Sequence, residues 1–478
     1  MGWQHKNPDC PAGVPGPPAP PERLGRTSAL LWQSVSRKSG GELRLQVSAS
    51  TGMMFDTASR GKGVTLMKID FHWYVGIDWG SQKHRVCCLN ADGEIKEERW
   101  IDHSGEGLRQ LVEGLQQLGG GEVGGVAVGI EITHGAVVET LLENGFAVFS
   151  INPKQLDRFR DRYSPAGAKD DKRDALVLAD SLRTDRHCFH AVRLGDSLTI
   201  RLRELSRLEE QLTEEQNRLS NRLWNQLQRY FPSLLQLSPS AAEPWLWDLL
   251  EAAPLPAKAA KLSATRIRRI LDRHRIRRLD AAKVQSVLAA PPLTLARGAA
   301  EAASEHALLL LPQLRLVDQQ RKVLAKRIAA LLEELSEPET SGGAREHRDA
   351  AILRSLPGVG RKVAATMLSE AWQAIAERDY HALRCLAGVA PVTRQTGKKT
   401  VVQMRYACNE RLRDALYYWS LSSSQWDPKS KALYAAQRNK GHKLGRALRG
   451  IADRLLDVLI SMLRHRTLFD PQRRVVAA

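Results

Sequence analysis

From Trp73 onward, apolar runs follow one another in an order that few folds accept. WYVGIDW, HRVCCLN and EIKEERWI read as three strands, with Ala91-Asp92-Gly93 as the hairpin turn between the last two. The spacing of GEGLRQLVEGLQQL predicts a helix over 105–118. GVAVGIEI is a further strand, 135–144 a helix and AVFSIN a fifth strand, followed by KQLDRFRDRY and a helix DDKRDALVLADSLR. Three strands joined by hairpins, then alternating helix and strand, is the order of a ribonuclease-H-like α/β domain, expected over 67–190.

The flanking segments differ in chemistry. Residues 1–66 include PAGVPGPPAPPERLG and keep no sustained period, so they are expected to be a disordered or non-native extension, with Met67 as the natural start. Leu198, Leu205, Leu212 and Leu219 recur every seven residues, with Leu202 and Leu223 between them. A second run (Leu310, Leu314, Val317, Leu324, Ile328, Leu331, Leu335) keeps 3–4 spacing. Both predict long helices of coiled-coil type, so 196–336 is expected to be a coiled-coil region that implies a dimer. Between them lies KLSATRIRRILDRHRIRRLDAAK, with basic residues at 261, 266, 268, 269, 273, 275, 277 and 278 against Asp272 and Asp280. Such a run suits a solvated face and equally a phosphate backbone. PETSGG at 338–343 reads as a linker, and 347–465 as a mostly α-helical C-terminal domain.

Lys and Arg outnumber Asp and Glu by 71 to 53, a formal charge of +18 that favours a polyanionic partner through counterion release. No run approaches the length of a membrane span, and no secretory signal stands at the start. The six cysteines show neither paired metal spacing nor a disulfide pattern, which fits a reducing cytosol.

Carboxylates fall where chemistry would need them. Asp78 ends the first strand, in VGIDWG, and Glu131 ends a later one, in VGIEIT. In a ribonuclease-H-like sheet those strands are neighbours, so both acids reach one edge. Asp171 and Asp174 lie three apart on a helix and share a face. Four converging carboxylates repel unless they share cations, and oxygen-only ligation selects Mg²⁺ or Mn²⁺. Each acid also has an ordinary explanation. A lone Asp after a strand serves as a turn or cap residue, and Asp170, Asp171 and Asp174 suit a helix N-terminus. Glu131 within VGIEI is harder to explain away, because a strand-buried carboxylate is costly without a partner.

GIDWGS also resembles the first phosphate loop of actin-like and sugar-kinase ATPases. That reading needs a second phosphate loop and a Gly-Gly adenosine motif, and neither stands in a convincing context.

Near the C-terminus, LRSLPGVGRKVAATMLSEA reads as helix, tight turn and helix. Gly358 and Gly360 permit a hairpin whose N–H groups face outward at a helix start, where Arg361 and Lys362 follow. This is the helix-hairpin-helix pattern of sequence-independent DNA binding, or a plain packing corner. AGVAPVTRQTGKKTVVQMRYACNERLRDALYYWS places Arg394, Lys398 and Lys399 in a loop before a helix, further candidates for DNA contact.

The segments GIDWGSQKHRV, GIEITHG, INPKQLDRFR, AKDDKRDALVLAD, LPGVGRKVAATMLSE and GVAPVTRQTGKK…RYACNERLRDAL resemble, in order, the bridge-RNA-guided DEDD transposases of the insertion-sequence one-ten family. They cover most of 73–465. The resemblance implies a RuvC-type catalytic domain, a coiled-coil insertion and a C-terminal transposase domain. It implies that Asp78, Glu131, Asp171 and Asp174 hold Mg²⁺ or Mn²⁺. It also implies DNA partners (element ends and target), a structured non-coding guide RNA, tetrameric synapsis, and a bacterial cytoplasmic, nucleoid-associated location. The family's nucleophile is a serine in the C-terminal loop, and here Thr396, in RQTG, holds that place. Its extra methyl group crowds an approach to phosphorus. Ser422, Ser423 and Ser424 are the fallback nucleophiles, otherwise helix caps. Asp170 stands where the family more often has Thr or Ser. Two other activities stay open: a Holliday-junction-type hydrolytic nuclease and the ATPase.

Overall fold

The structure is a computed structural model that describes residues 70–163, 170–337 and 348–472. The expected N-terminal extension, the start at Met67 and the linker at 338–343 lie outside the described residues. Six strands form one mixed sheet in the order β3-β2-β1-β4-β5-β6: β1 (Trp73–Asp78), β2 (Lys83–Asn90), β3 (Ile95–Asp102), β4 (Val126–Ile130), β5 (Ala147–Ser150) and β6 (His190–Ala191). β1 pairs antiparallel with β2 and parallel with β4, and β4 pairs parallel with β5. This arrangement is compatible with a ribonuclease-H-like catalytic domain.

Alternation along the strands separates two cores. Val75, Ile77, Val128 and Ile130 face α1 (Gly105–Leu118) and α2 (Ala136–Glu143), which bury Leu111, Leu115, Val137 and Leu141. Ser104 caps α1, its hydroxyl accepting from Gly107 N–H at 3.0 Å. The opposite face is covered by α3 (Pro153–Arg160) and α4 (Asp171–Asp185), where Phe149, Ile151, Leu156, Val177, Leu178 and Leu182 pack together. The segment KQLDRFRDRY thus contributes α3, started by Asn152, whose side chain accepts from Lys154 N–H.

Two long helices, α5 (Ser197–Tyr230) and α11 (Ala299–Glu334), pack antiparallel within the chain. Leu202 lies with Leu324, Ile328 and Leu331, whereas Leu219, Leu223 and Leu227 lie with Ala303, Ala307, Leu310 and Leu314. The heptad seam is therefore filled by this chain's own second helix, and that seam no longer argues for a dimer. Between the two helices, α6 (Pro232–Leu235), α7 (Pro244–Ala252), α8 (Pro256–Ala259), α9 (Ala264–Arg273) and α10 (Ala281–Leu288) form a small unit around Trp245, Trp247, Ile267 and Leu271.

The C-terminal unit is mostly helical: α12 (Asp349–Ser355), α13 (Arg361–Glu370), α14 (Trp372–Ala376), α15 (Tyr380–Leu386), α16 (Glu410–Trp426), α17 (Pro428–Asn439) and α18 (Leu444–His465). The stretch expected as a loop is instead a hairpin, β7 (Val392–Thr396) and β8 (Lys399–Gln403). Its β-branched residues favour strand, and Gly397 (φ +55) makes the turn.

Candidate active site

The site begins with two glycines. Gly76 and Gly129 face each other across β1 and β4, each two residues ahead of an acid. A Cβ on Gly76 would lie 1.9 Å from the Ala175 carbonyl oxygen and 2.6 Å from the Ala179 nitrogen. A Cβ on Gly129 would lie 3.1 Å from the Leu178 carbonyl oxygen. Missing side chains thus let α4 lie directly against the sheet. Asp78 and Glu131, two residues on, belong to the same face by alternation. The first turn of α4, with Asp171 and Asp174, points toward that end of β1. The sequence carried this signal in VGID and VGIE, but the glycines were not singled out.

The four acids differ in environment. Asp171 is exposed, Asp78 and Glu131 are half-buried, and Asp174 is only 1% exposed. Glu131 follows the last residue of β4, so it is not the strand-buried carboxylate expected. Ile130 ends the pairing, its carbonyl accepting from Ile151 N–H at 2.9 Å. Asp170 is the N-cap of α4, its carboxylate accepting from Lys172 N–H at 3.3 Å. Asp174 is held by Arg160 of α3, which donates from Nη2 to Oδ2 at 2.9 Å and from Nε to Oδ1. Among the described residues, no three of the four carboxylates bring oxygens within 4.8 Å of one another. The chemistry of the four candidate side chains would suit Mg²⁺ or Mn²⁺: all are carboxylates, and the buried one already has a cationic partner in Arg160.

Sequence reading missed His84. It is buried on β2, and its Nδ1 accepts from Gly80 N–H at 3.3 Å, tying down the turn that follows Asp78. Its Nε2 meets His103 Nδ1 at 2.9 Å. Burial first, and His103 second, push its pKa below the ordinary histidine value. The neighbouring thiols are inert: burial raises Cys87 to about 11 and Cys88 to about 12.

A family profile described as a transposase, of the DEDD type of IS110, matches residues 75–232. A second, described as the IS116/IS110/IS902 transposase family, matches residues 350–435. The IS117 mini-circle protein of Streptomyces coelicolor, whose name proposes a transposase, is 31% identical over 408 residues, 84% of this chain and 96% of that protein. The chain belongs to the IS110 transposase family. An uncharacterized 43.6 kDa protein of insertion element IS110, also from Streptomyces coelicolor, is 28% identical over 83% of this chain and 95% of its own length. The protein y4uE of Sinorhizobium fredii, whose name again proposes a transposase, is 49% identical over 223 residues, 46% of this chain and 61% of that protein. Membership implies DNA cleavage and transfer, and it displaces the ATPase reading of GIDWGS.

In this IS110-family chain the C-terminal residues divide into held and open ones. Gly358 (φ +80) turns the backbone, and a Cβ there would meet Ser423 Oγ at 2.7 Å. Ser423 Oγ and Trp419 Nε1 both donate to the Pro357 carbonyl oxygen, at 2.8 and 3.0 Å. Ser423 and Ser424 are buried inside α16 and Ser422 is also within it, so none of them caps a helix end. Arg361, expected at DNA, donates from both Nη atoms to the buried Glu209 on α5, at 3.0 and 2.6 Å. Gly360 and Lys362 are exposed. Arg394, Thr396, Lys398 and Lys399 are all exposed on the hairpin, with Thr396 at its tip. All eight basic residues around α9 are exposed too. Arg268, Arg273 and Arg278 pair with Asp272, Asp248 and Glu243. No helix among the described residues is long and apolar enough to cross a membrane.

Proposed function

We propose that the chain is the transposase of an insertion sequence. It would cleave and exchange DNA strands through a covalent hydroxyl–DNA intermediate, with target choice delegated to a structured guide RNA. The observation that carries this reading is the pair of adjacent parallel strand ends bearing Asp78 and Glu131, with the first turn of α4 laid over Gly76 and Gly129 beside them. Asp78, Glu131, Asp171 and Asp174 would hold Mg²⁺ or Mn²⁺, which when bound supplies Lewis-acid stabilisation of charge at a scissile phosphate. The Thr396 hydroxyl attacks that phosphorus. An Oγ1–P bond forms as one P–O bond to deoxyribose breaks, the hydroxyl proton passes to solvent, and the leaving oxygen takes one up.

Thr396 stands on an exposed tip, which favours its delivery to the carboxylates of another subunit in a dimer or tetramer. Gly358 and Gly360 shape the turn, and Lys362, Arg394, Lys398 and Lys399 would contact phosphates. Arg361 drops out of that set, since Glu209 already engages it. The basic face around α9 would track an RNA or DNA backbone without reading bases. The working place of such an enzyme is the bacterial cytoplasm, at the nucleoid.

The test is covalent trapping. Labelled element-junction DNA, purified protein, the flanking RNA of the element and Mg²⁺ are combined and resolved on a denaturing protein gel. A shifted band that disappears in both Thr396→Val and Asp78→Asn is expected. Cleaved DNA without a shifted band would instead make the chain a hydrolytic junction nuclease and Thr396 a turn residue.

A further inference from the structure

The far end of α4 holds a second group of metal-binding side chains. Asp185 is the last residue of the helix, and His187 and Cys188 follow in the 3-10 turn Arg186–Cys188. One ligand atom from each, a carboxylate oxygen, an imidazole nitrogen and Sγ, lies within 4.8 Å of the other two. Among the described residues this is the one set of three such donors so gathered. The cysteine spacing could not reveal it, because a single thiol is paired here with donors of other types.

The geometry points to a site for one divalent cation of the zinc class, bound by Asp185, His187 and Cys188 and clipping the C-terminal end of α4 to the chain that enters β6. The donors decide the class of ion. A thiolate and an imidazole favour Zn²⁺ over Mg²⁺, and three protein ligands leave a tetrahedral ion one position for water. Asp185 is oriented from behind: its Oδ2 accepts from Thr184 Oγ1 at 2.8 Å and from Arg162 Nη1 at 3.2 Å. Such outer hydrogen bonds are usual for a ligating carboxylate. The carbonyl end of α4 adds negative potential. Arg162 is thus the cation with which an incoming ion would share Asp185, while Arg183 is paired with Asp180. His187 and Cys188 are exposed, so an ion reaches them without unfolding. The clip would fix one end of the helix whose other end carries Asp171 and Asp174, and it does not depend on the function proposed above.

The full chain, stripped of metal under reducing conditions, is titrated with Co²⁺ and followed by absorption. One equivalent should produce a thiolate-to-cobalt charge-transfer band and tetrahedral ligand-field bands. Zn²⁺ should displace the Co²⁺, and a large excess of Mg²⁺ should not. Cys188→Ser should lose the charge-transfer band, and His187→Ala and Asp185→Asn should each weaken binding at least about tenfold, with folding verified by circular dichroism. A titration without the band overturns the site. So does a band that survives in Cys188→Ser, which would move the ion to another thiol such as Cys385 or Cys408.

Discussion

Arg160 grips Asp174 with two parallel hydrogen bonds, one Nη2–Oδ2 contact being 2.9 Å, and so places a guanidinium against the most deeply buried acid of the candidate site. The same arginine also reaches Asp157 on its own helix. A cation that enlists Asp174 must displace this fork. Arg160→Gln should therefore lower stability in metal-free buffer by about 3 kcal/mol, since an unpaired buried carboxylate remains. The variant should also gain more thermal stability from Mn²⁺ than the parent does. Calorimetric melts with and without Mn²⁺ read both effects. Equal stabilisation of the two proteins would mean that Asp174 is not where arginine and cation compete.

The glycine pair gives a graded expectation. Gly76→Ala drives a methyl group into the backbone of α4 and should cost about 3 kcal/mol or more, because backbone cannot yield as a side chain does. Gly129→Ala, with its nearest atom at 3.1 Å, should cost roughly 1 kcal/mol. Denaturant unfolding ranks them, and a reversed order would contradict the seating of α4 on β1.

Neighbouring basic residues at the start of α13 should part company. Arg361→Ala leaves Glu209 buried without its partner and should destabilise the chain by about 3 kcal/mol. Lys362→Ala should leave the melting temperature alone, while the slope of log K against log salt for duplex DNA falls by about one phosphate contact. Anisotropy titrations across a salt series measure this, and an unchanged slope would remove the turn from the DNA surface.

Stability should also respond to pH through His84. Its folded pKa is depressed, so the unfolded chain takes up the proton more readily as pH falls below the ordinary histidine value. The contribution is present above about pH 6.5 and is lost as pH drops toward the folded pKa. His84→Asn should show a shallower loss between about pH 7.5 and 5.5 than the parent. His134, also depressed by burial and by Arg207 and Arg203, keeps the variant's slope from vanishing. Identical pH profiles would show that the Gly80–His84–His103 chain is not retained in solution.

Sequence made β1, β2, β4 and β5 legible because each was an apolar run bounded by turn residues, and the turn at Gly93 (φ +87) set the charged strand β3 against β2. β6 escaped, since two residues carry no period. Asp78 and Glu131 could be placed because strand order alone makes β1 and β4 neighbours. The partner of Asp174 could not, because it comes from how α3 packs on α4. The partner of Arg361 was hidden for a similar reason: Glu209 lies 152 residues away, on a helix whose apolar seam gave no orientation. The heptads announced the length of α5 and α11 but not that the two would satisfy each other.

That antiparallel pairing has a mechanical side. Inward of Leu212, α5 is anchored in the C-terminal core, and outward it shares a core with the α6–α10 unit. About 18 residues of helix, roughly 27 Å, separate that anchor from Tyr230. The paired helices thus form a stiff boom with a positively charged head. A swing of about 5° at its root carries the end of α5 by more than 2 Å, and the arginines around α9 still farther. Small adjustments in the C-terminal core would then be felt at that head as displacements comparable to a hydrogen bond.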